Sequence, residues 1–248
     1  MKRNSLRLTF LAMAATGFLA ACDSSTGSNG SGGGGSTNVT YGTLADARDG
    51  KTYKTVTIGT QTWMAQNLNY RNTTGSSDTF GTCYKFRTDS CTKYGRLYTW
   101  MAAVDTGSGF GEDSVMIASP RTGICPSGWH VPSDTEWGTL VAFAGSSDAR
   151  VRLSSTTGWD NSICSPMGWT CNGTDDYGFR VLPAGSANVT DIVDTVGFMS
   201  AGSFAAFLSV TETGNFDLWE RSFSQSSTAV SRNPTYKSWS FSLRCIRN

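Results

Sequence analysis

Histidine is nearly missing from this chain: His130 is the only one among 248 residues. With no second imidazole and no Cys-x-x-Cys pair, a zinc site built on histidine or paired cysteines is not expected. A histidine relay would have to use His130. Its place inside Trp129-His130-Val131-Pro132 suits a structural side chain bonded to backbone better than a base. Charged residues make up only 16% of the chain and form no basic patch, so nucleic acid is not an expected partner. No apolar run reaches the roughly 18 residues of a membrane-spanning helix, and no internal repeat is visible.

What is present begins with Lys2, Arg3 and Arg7, followed by an apolar stretch from Leu8 to Leu19 that is too short to span a bilayer. It ends in Leu19-Ala20-Ala21-Cys22, which resembles the lipobox of bacterial lipoproteins. Residues 1–21 are therefore expected to be a signal peptide, with Cys22 acylated as the first mature residue. Two or three acyl chains anchor stably where one would not. An ordinary secreted protein cleaved at the alanines is the alternative. Loss of Lys2, Arg3 and Arg7 leaves 17 basic against 19 acidic side chains, a mature charge near −2. From Asp23 to Asn38 the chain is almost wholly Ser, Gly, Asn and Thr and cannot bury surface. Residues 22–38 thus read as a lipidated tether, with an r.m.s. reach of about 22 Å.

The remaining six cysteines, Cys83, Cys91, Cys125, Cys164, Cys171 and Cys245, form an even set in an oxidising compartment. Fifteen connectivities are possible. Spacing favours Cys83 with Cys91 and Cys164 with Cys171 across short polar loops, which leaves Cys125 to reach Cys245.

Residues 39–248 have the length of one domain. Around Tyr53, Val56, Ile58 and Trp63 the β-branched and aromatic residues, with Gly59-Thr60-Gln61 between them, predict a hairpin. After Pro132, Ser133 and Glu136 form a capping box ahead of Trp137, Leu140, Val141 and Ala144, and Gly145 can close that helix. A weaker helix is predicted from Leu97 to Val104, with Leu97, Trp100, Met101 and Val104 on one face. The rest reads as short strands and long loops, so the class is α+β with little helix.

Asp49-Gly50-Lys51-x-Tyr53 and Ile58-Gly59-Thr60-Gln61-Thr62-Trp63-Met64-Ala65-Gln66-Asn67-Leu68 open a series of motifs. Cys83-Tyr84, Cys91-x-x-Tyr94-Gly95-Arg96-Leu97-Tyr98-Thr99-Trp100 and Ile124-Cys125-Pro126-Ser127-Gly128-Trp129-His130-Val131-Pro132-Ser133-Asp134-x-Glu136-Trp137 continue it. Tyr177-Gly178-Phe179, Leu182-Pro183-Ala184-Gly185 and Ser242-Leu243-Arg244-Cys245-Ile246-Arg247 complete it. In this order the motifs resemble the Fibrobacter succinogenes major paralogous domain over about residues 46–248. The chain departs from that pattern at Leu208-Ser209-Val210-Thr211-Glu212, where the family has a tryptophan, and at Ser240, where it often has glycine. The family is distantly similar to C-type-lectin-like and sulfatase-modifying folds. The resemblance thus implies a lectin-like domain, with short twisted sheets, one or two helices, long loops and a long-range disulfide at Cys125 and Cys245.

The sulfatase-modifying enzymes depend on reactive cysteines near the C-terminus, whereas Cys245 is expected to be bridged, so the similarity implies a fold and not an activity. The calcium-binding loops of lectins do not occur here. The nearest approaches are Asp175-Asp176 and Trp159-Asp160-Asn161, which suit turns better than a metal. No cofactor is expected. Glu136 belongs to the capping box, and Glu212, Asp217 and Glu220 read as loop charges. Trp63, Trp100, Trp129 and Trp137 are expected in the core. Phe204, Phe207, Phe216, Trp219, Tyr236 and Trp239 lie between the helix and the last strand, where loops would carry a sugar-stacking surface. Among them Trp219 and Trp239, with Phe216 and Tyr236, are the candidate ligand-binding set.

The expected protein is therefore a lipid-anchored envelope lipoprotein, at the outer membrane or cell surface, acting as a display or adhesion module. Its implied partners are the membrane, through the anchor, and a polysaccharide or an envelope protein. A glycan-active enzyme and a purely structural envelope protein are the alternatives. Asp23 after the lipidated cysteine is an inner-membrane retention signal in some bacteria, which leaves the choice of membrane open.

Overall fold

The structure, a computed structural model, describes residues 39–72, 81–106, 117–168, 170–189 and 196–248. The expected signal peptide (residues 1–21), Cys22 and the expected tether fall outside the described residues.

The domain opens with β1 (Tyr41–Ala45), β2 (Thr52–Ile58) and β3 (Gln61–Met64), then α1 (Thr88–Tyr94), β4 (Leu97–Thr99), α2 (Trp100–Val104) and β5 (Trp129–His130). It continues through α3 (Asp134–Phe143), α4 (Ala149–Leu153), β6 (Ser186–Val189), β7 (Val196–Met199), β8 (Phe204–Glu212), β9 (Asp217–Ser224), β10 (Ser231–Tyr236), β11 (Trp239–Ser242) and β12 (Ile246–Arg247). These elements form two sheets. The first is ordered β1-β2-β3-β12-β5, so the C-terminal strand is inserted beside the N-terminal hairpin. The second is ordered β10-β9-β8-β11-β6-β7, with β4 also paired to β11. The fold is mixed α+β, mostly sheet.

The β2–β3 hairpin forms where the β-branched run predicts it. Ile58 pairs with Gln61, leaving the two-residue turn Gly59-Thr60, and Gly59 takes a φ of +59° that a side chain would strain. In α3 the Ser133 hydroxyl accepts from Glu136 N–H at 3.2 Å, and Ser133 N–H donates to Glu136 Oε2 at 2.7 Å. Such a cap is worth about 1 kcal/mol. The helix buries Trp137, Leu140 and Val141 against β8 and β9. There Trp137 meets Trp63 at 4.8 Å and Phe207 at 5.3 Å between centroids, and Phe207 meets Phe223 at 5.6 Å. The Trp137 indole N–H is satisfied by Leu208 O at 3.1 Å, as a buried indole requires. Trp63, Trp100, Trp129 and Trp137 are all buried.

Three disulfides are present: Cys83–Cys91, Cys164–Cys171 and Cys125–Cys245, the set that spacing favoured. The last bridge joins the segment before β5 to the residue before β12, across 120 positions.

Two expectations are corrected. Leu97–Thr99 is not helical but a strand, antiparallel to β11 through the pairs Ser240–Thr99, Phe241–Tyr98 and Ser242–Leu97. The helix begins only at Trp100, where the Thr99 side chain accepts from Ala102 N–H. All three strand residues are buried, so tertiary pairing overrides the helical spacing. The described residues also hold four α-helices rather than one or two. Three of them are only five to seven residues long, too short to show a periodic pattern.

Candidate functional site

The aromatics between α3 and the C-terminus lie mainly on strands, not loops, because β8, β9 and β10 form a continuous ladder through this region. Phe207 is buried in the core and Phe204 packs half-buried at the start of β8. In the β9–β10 pair, Asp217 faces Tyr236, Trp219 faces Pro234 and Arg221 faces Arg232. Side chains at alternate positions share a face, so Trp219, Pro234 and Tyr236 form one strip. Tyr236 is 62% exposed at its open end, and Trp219 is half-buried with the Arg232 guanidinium 3.2 Å from its ring centroid. Phe216, 56% exposed, sits in the turn leading into β9, and its carbonyl accepts from Lys237 N–H at 2.8 Å. Trp239 stands apart on β11, stacked on Phe241 at 6.1 Å and packed against the core. The structure therefore groups Trp219 with Tyr236 and separates Trp239 from them.

Three acids around this strip, Asp134, Glu212 and Glu220, are engaged in structural contacts. Asp134, in the first turn of α3, binds Arg221 at 2.6 Å and Arg232 at 3.0 Å, which fixes the guanidinium that covers Trp219. Glu212 pairs with Lys237. Glu220 is not a loop charge but a buried residue of β9; burial pushes its carboxyl up, against hydrogen bonds from Asn233 and Ser222. Asp217 also lies on β9. His130 is held by side chains rather than backbone: Nδ1 lies 2.7 Å from Asn248 Oδ1 and Nε2 lies 2.8 Å from Glu136 Oε1. Glu136 thus serves the helix cap and His130 together.

The loop residues nearest to a metal-binding pattern are also occupied. Asp176 binds Arg152 at 2.7 Å, Asp160 accepts from Ser162 N–H, and Asn161 Oδ1 accepts from Cys171 N–H. Asp175 accepts from Arg180 N–H at 2.8 Å, with the Arg180 side chain 3.8 Å away. Its burial outweighs those contacts and pushes its carboxyl up to about 6. Among the described residues no three His, Cys, Asp or Glu side chains converge as a metal site would require.

A concavity of about 320 Å³ lies between β2, the segment after β3, the C-terminal end of α1 and the loop at Arg180 and Leu182. Lys51, Lys54, Lys93, Arg180 and Arg244 line it. Arg244, only 1% exposed, donates to Asn67 Oδ1 at 2.8 Å, to Arg180 O at 3.0 Å and to Phe179 O, while its guanidinium stacks 4.4 Å from the Phe179 centroid. Burial lowers this guanidinium to about 9, so it stays charged at neutral pH. Spacing did not reveal this group, because its members come from four separate segments. Its one sequence trace is Arg244, inside the closing Ser-Leu-Arg-Cys motif.

Two sheets, short helices and three bridges define a disulfide-stapled α+β domain of mostly β structure. The chain belongs to the Fibrobacter succinogenes major domain family, whose model matches residues 56–247. No curated protein and no solved structure matches the chain.

Proposed function

We propose that this chain is a cell-envelope lipoprotein whose domain is displayed for binding, with polysaccharide as the ligand and no reaction catalysed. The observation that carries the reading is the strip of Trp219, Pro234 and Tyr236 on one face of β9–β10, open at Tyr236 and braced by Arg232 and Asp134. Rigid aromatic faces bury large apolar area with little loss of side-chain freedom, which suits stacking on pyranose rings. Asp134 and Glu212 are held in ion pairs and Glu220 is buried, which favours binding over glycan hydrolysis, since hydrolysis needs two carboxyl groups facing one bond. A lectin-like ancestry for the fold is part of the proposal. Its support is the insertion of β12 between β3 and β5, with the Cys125–Cys245 bridge beside it.

The test is retention of the full-length chain, in nonionic detergent, on insoluble cellulose, xylan and peptidoglycan. Trp219→Ala and Tyr236→Ala are each expected to weaken retention about three- to tenfold, the worth of one aromatic contact. Trp239→Ala should lower the melting temperature and leave the retention of the folded fraction unchanged. Wild-type protein that passes through all three materials refutes polysaccharide binding.

A further inference from the structure

We propose that the cleft beside α1 is a second binding site, separate from the aromatic strip, and that it takes the carboxylate of an acidic saccharide. Its volume of about 320 Å³ is at the small end of the roughly 300–1,000 Å³ of ligand pockets. Five cations line it and, among the described residues, no Asp or Glu does. Two are partly neutralised, Lys51 by Asp49 at 2.5 Å and Arg180 by Asp175 at 3.8 Å. The ammonium groups of Lys54 and Lys93 lie over the rings of Tyr41 and Tyr94, at 5.1 and 4.6 Å. Arg244 carries its charge into the wall of the cleft while its hydrogen bonds go to neutral oxygens. A concavity with low-dielectric walls and one sign of charge concentrates the opposite ion.

The wall is built in advance. Asn67 Nδ2 donates to Tyr94 O at 2.7 Å while its Oδ1 takes the Arg244 bond, which ties the end of α1 to the core. Gly95, at φ +75°, permits that approach, since a Cβ there would stand 2.7 Å from Asn67 Cβ. The Cys83–Cys91 bridge also fastens α1. The wall at Asn67, Gly95 and Arg244 is therefore fixed before a ligand arrives, and only the exposed lysines have to be ordered by it.

The donors select the anion. Phosphate is best gripped by a free guanidinium fork, and the Arg244 fork is already given to carbonyl and amide oxygens. The Arg180 guanidinium is shared between Asp175 and the Tyr41 hydroxyl, and with it stand lysine point charges and the amides of Gln66 and Asn69, a set that suits one carboxylate flanked by hydroxyls.

Titration calorimetry on the full-length chain in detergent, at low salt, tests this with trigalacturonate, neutral xylotriose and inorganic phosphate as probes. Trigalacturonate should bind, and weaken severalfold on raising salt to 0.5 M. Lys54→Gln and Lys93→Gln should each weaken it about threefold and together about tenfold, with the melting temperature unchanged. Tyr236→Ala should leave this binding intact, so failure of the aromatic strip and failure of the cleft are distinguishable. Absence of trigalacturonate binding, equal binding of xylotriose, tighter binding of phosphate, or an unaffected double variant would each overturn the proposal.

Discussion

Removing the disulfides one at a time should reveal a ladder of stabilities set by loop length. Each bridge restricts the unfolded chain, and in the chain-entropy description the effect grows with the logarithm of the residues enclosed. Cys125–Cys245 encloses 120 positions, against 8 for Cys83–Cys91 and 7 for Cys164–Cys171. At 25 °C these separations give about 5 kcal/mol for the long bridge and about 2.5 kcal/mol for each short one. The first figure is comparable to the whole stability of many domains, roughly 5–15 kcal/mol. Side-chain loss should not mask the difference, because Cys125, Cys245, Cys164 and Cys171 are all buried and Cys91 is too. The assay is urea unfolding of paired alanine variants without reductant, followed by tryptophan fluorescence. Comparison requires equal m-values, since a changed slope signals a changed unfolded state. Cys125→Ala/Cys245→Ala should lose about twice what either other pair loses. If a short-loop pair costs as much at the same slope, loop entropy is not what these bridges supply.

Asp175→Asn should stabilise the domain at neutral pH. Burial puts the folded carboxyl at about 6, above the ordinary aspartate value of 3.8, so the unfolded state gives up this proton first. The stability tied to the neutral form is complete below about pH 4 and is lost as pH rises through about 6. Asparagine removes that loss, tolerates the φ of +52° at this position, and should gain roughly 2 kcal/mol at pH 7.5 with no gain at pH 3.5. Denaturation at the two pH values checks it, and equal stability of both proteins at pH 7.5 would count against the buried-charge account. Gly123→Ala should be severe, because φ is +51° and the new Cβ would stand 2.0 Å from Ala103 O. Strain and overpacking together should cost about 2–5 kcal/mol, read as a fall in urea midpoint, and a loss under 1 kcal/mol would show that the backbone yields there.

How far the sequence carried depended on the range of the interaction. The β2–β3 hairpin and the capped helix α3 were legible because their determinants are neighbours: β-branched residues around Gly59-Thr60, and Ser133 three residues before Glu136. The disulfides were legible because two short loops left the last pair no other partner. Leu97–Thr99 misled because its hydrogen-bond partners, Ser240–Ser242, lie more than 140 residues away, and helical spacing at Leu97, Trp100 and Val104 was the only local signal. Trp219 and Trp239 looked equivalent as loop aromatics until the ladder gave them different strands and different neighbours, Arg232 for one and Phe241 for the other. The cationic cleft was the least legible. Apolar residues betray their burial by a period of 2 or 3.6, but a charge on a cleft wall follows neither. Arg244 shows why: two residues from Ser242 and beside Cys245 it reads as one more polar residue near a chain end. Only the fold sets it against Asn67, Phe179 and Arg180 and makes it the buried cation to which the other four cations of the cleft add.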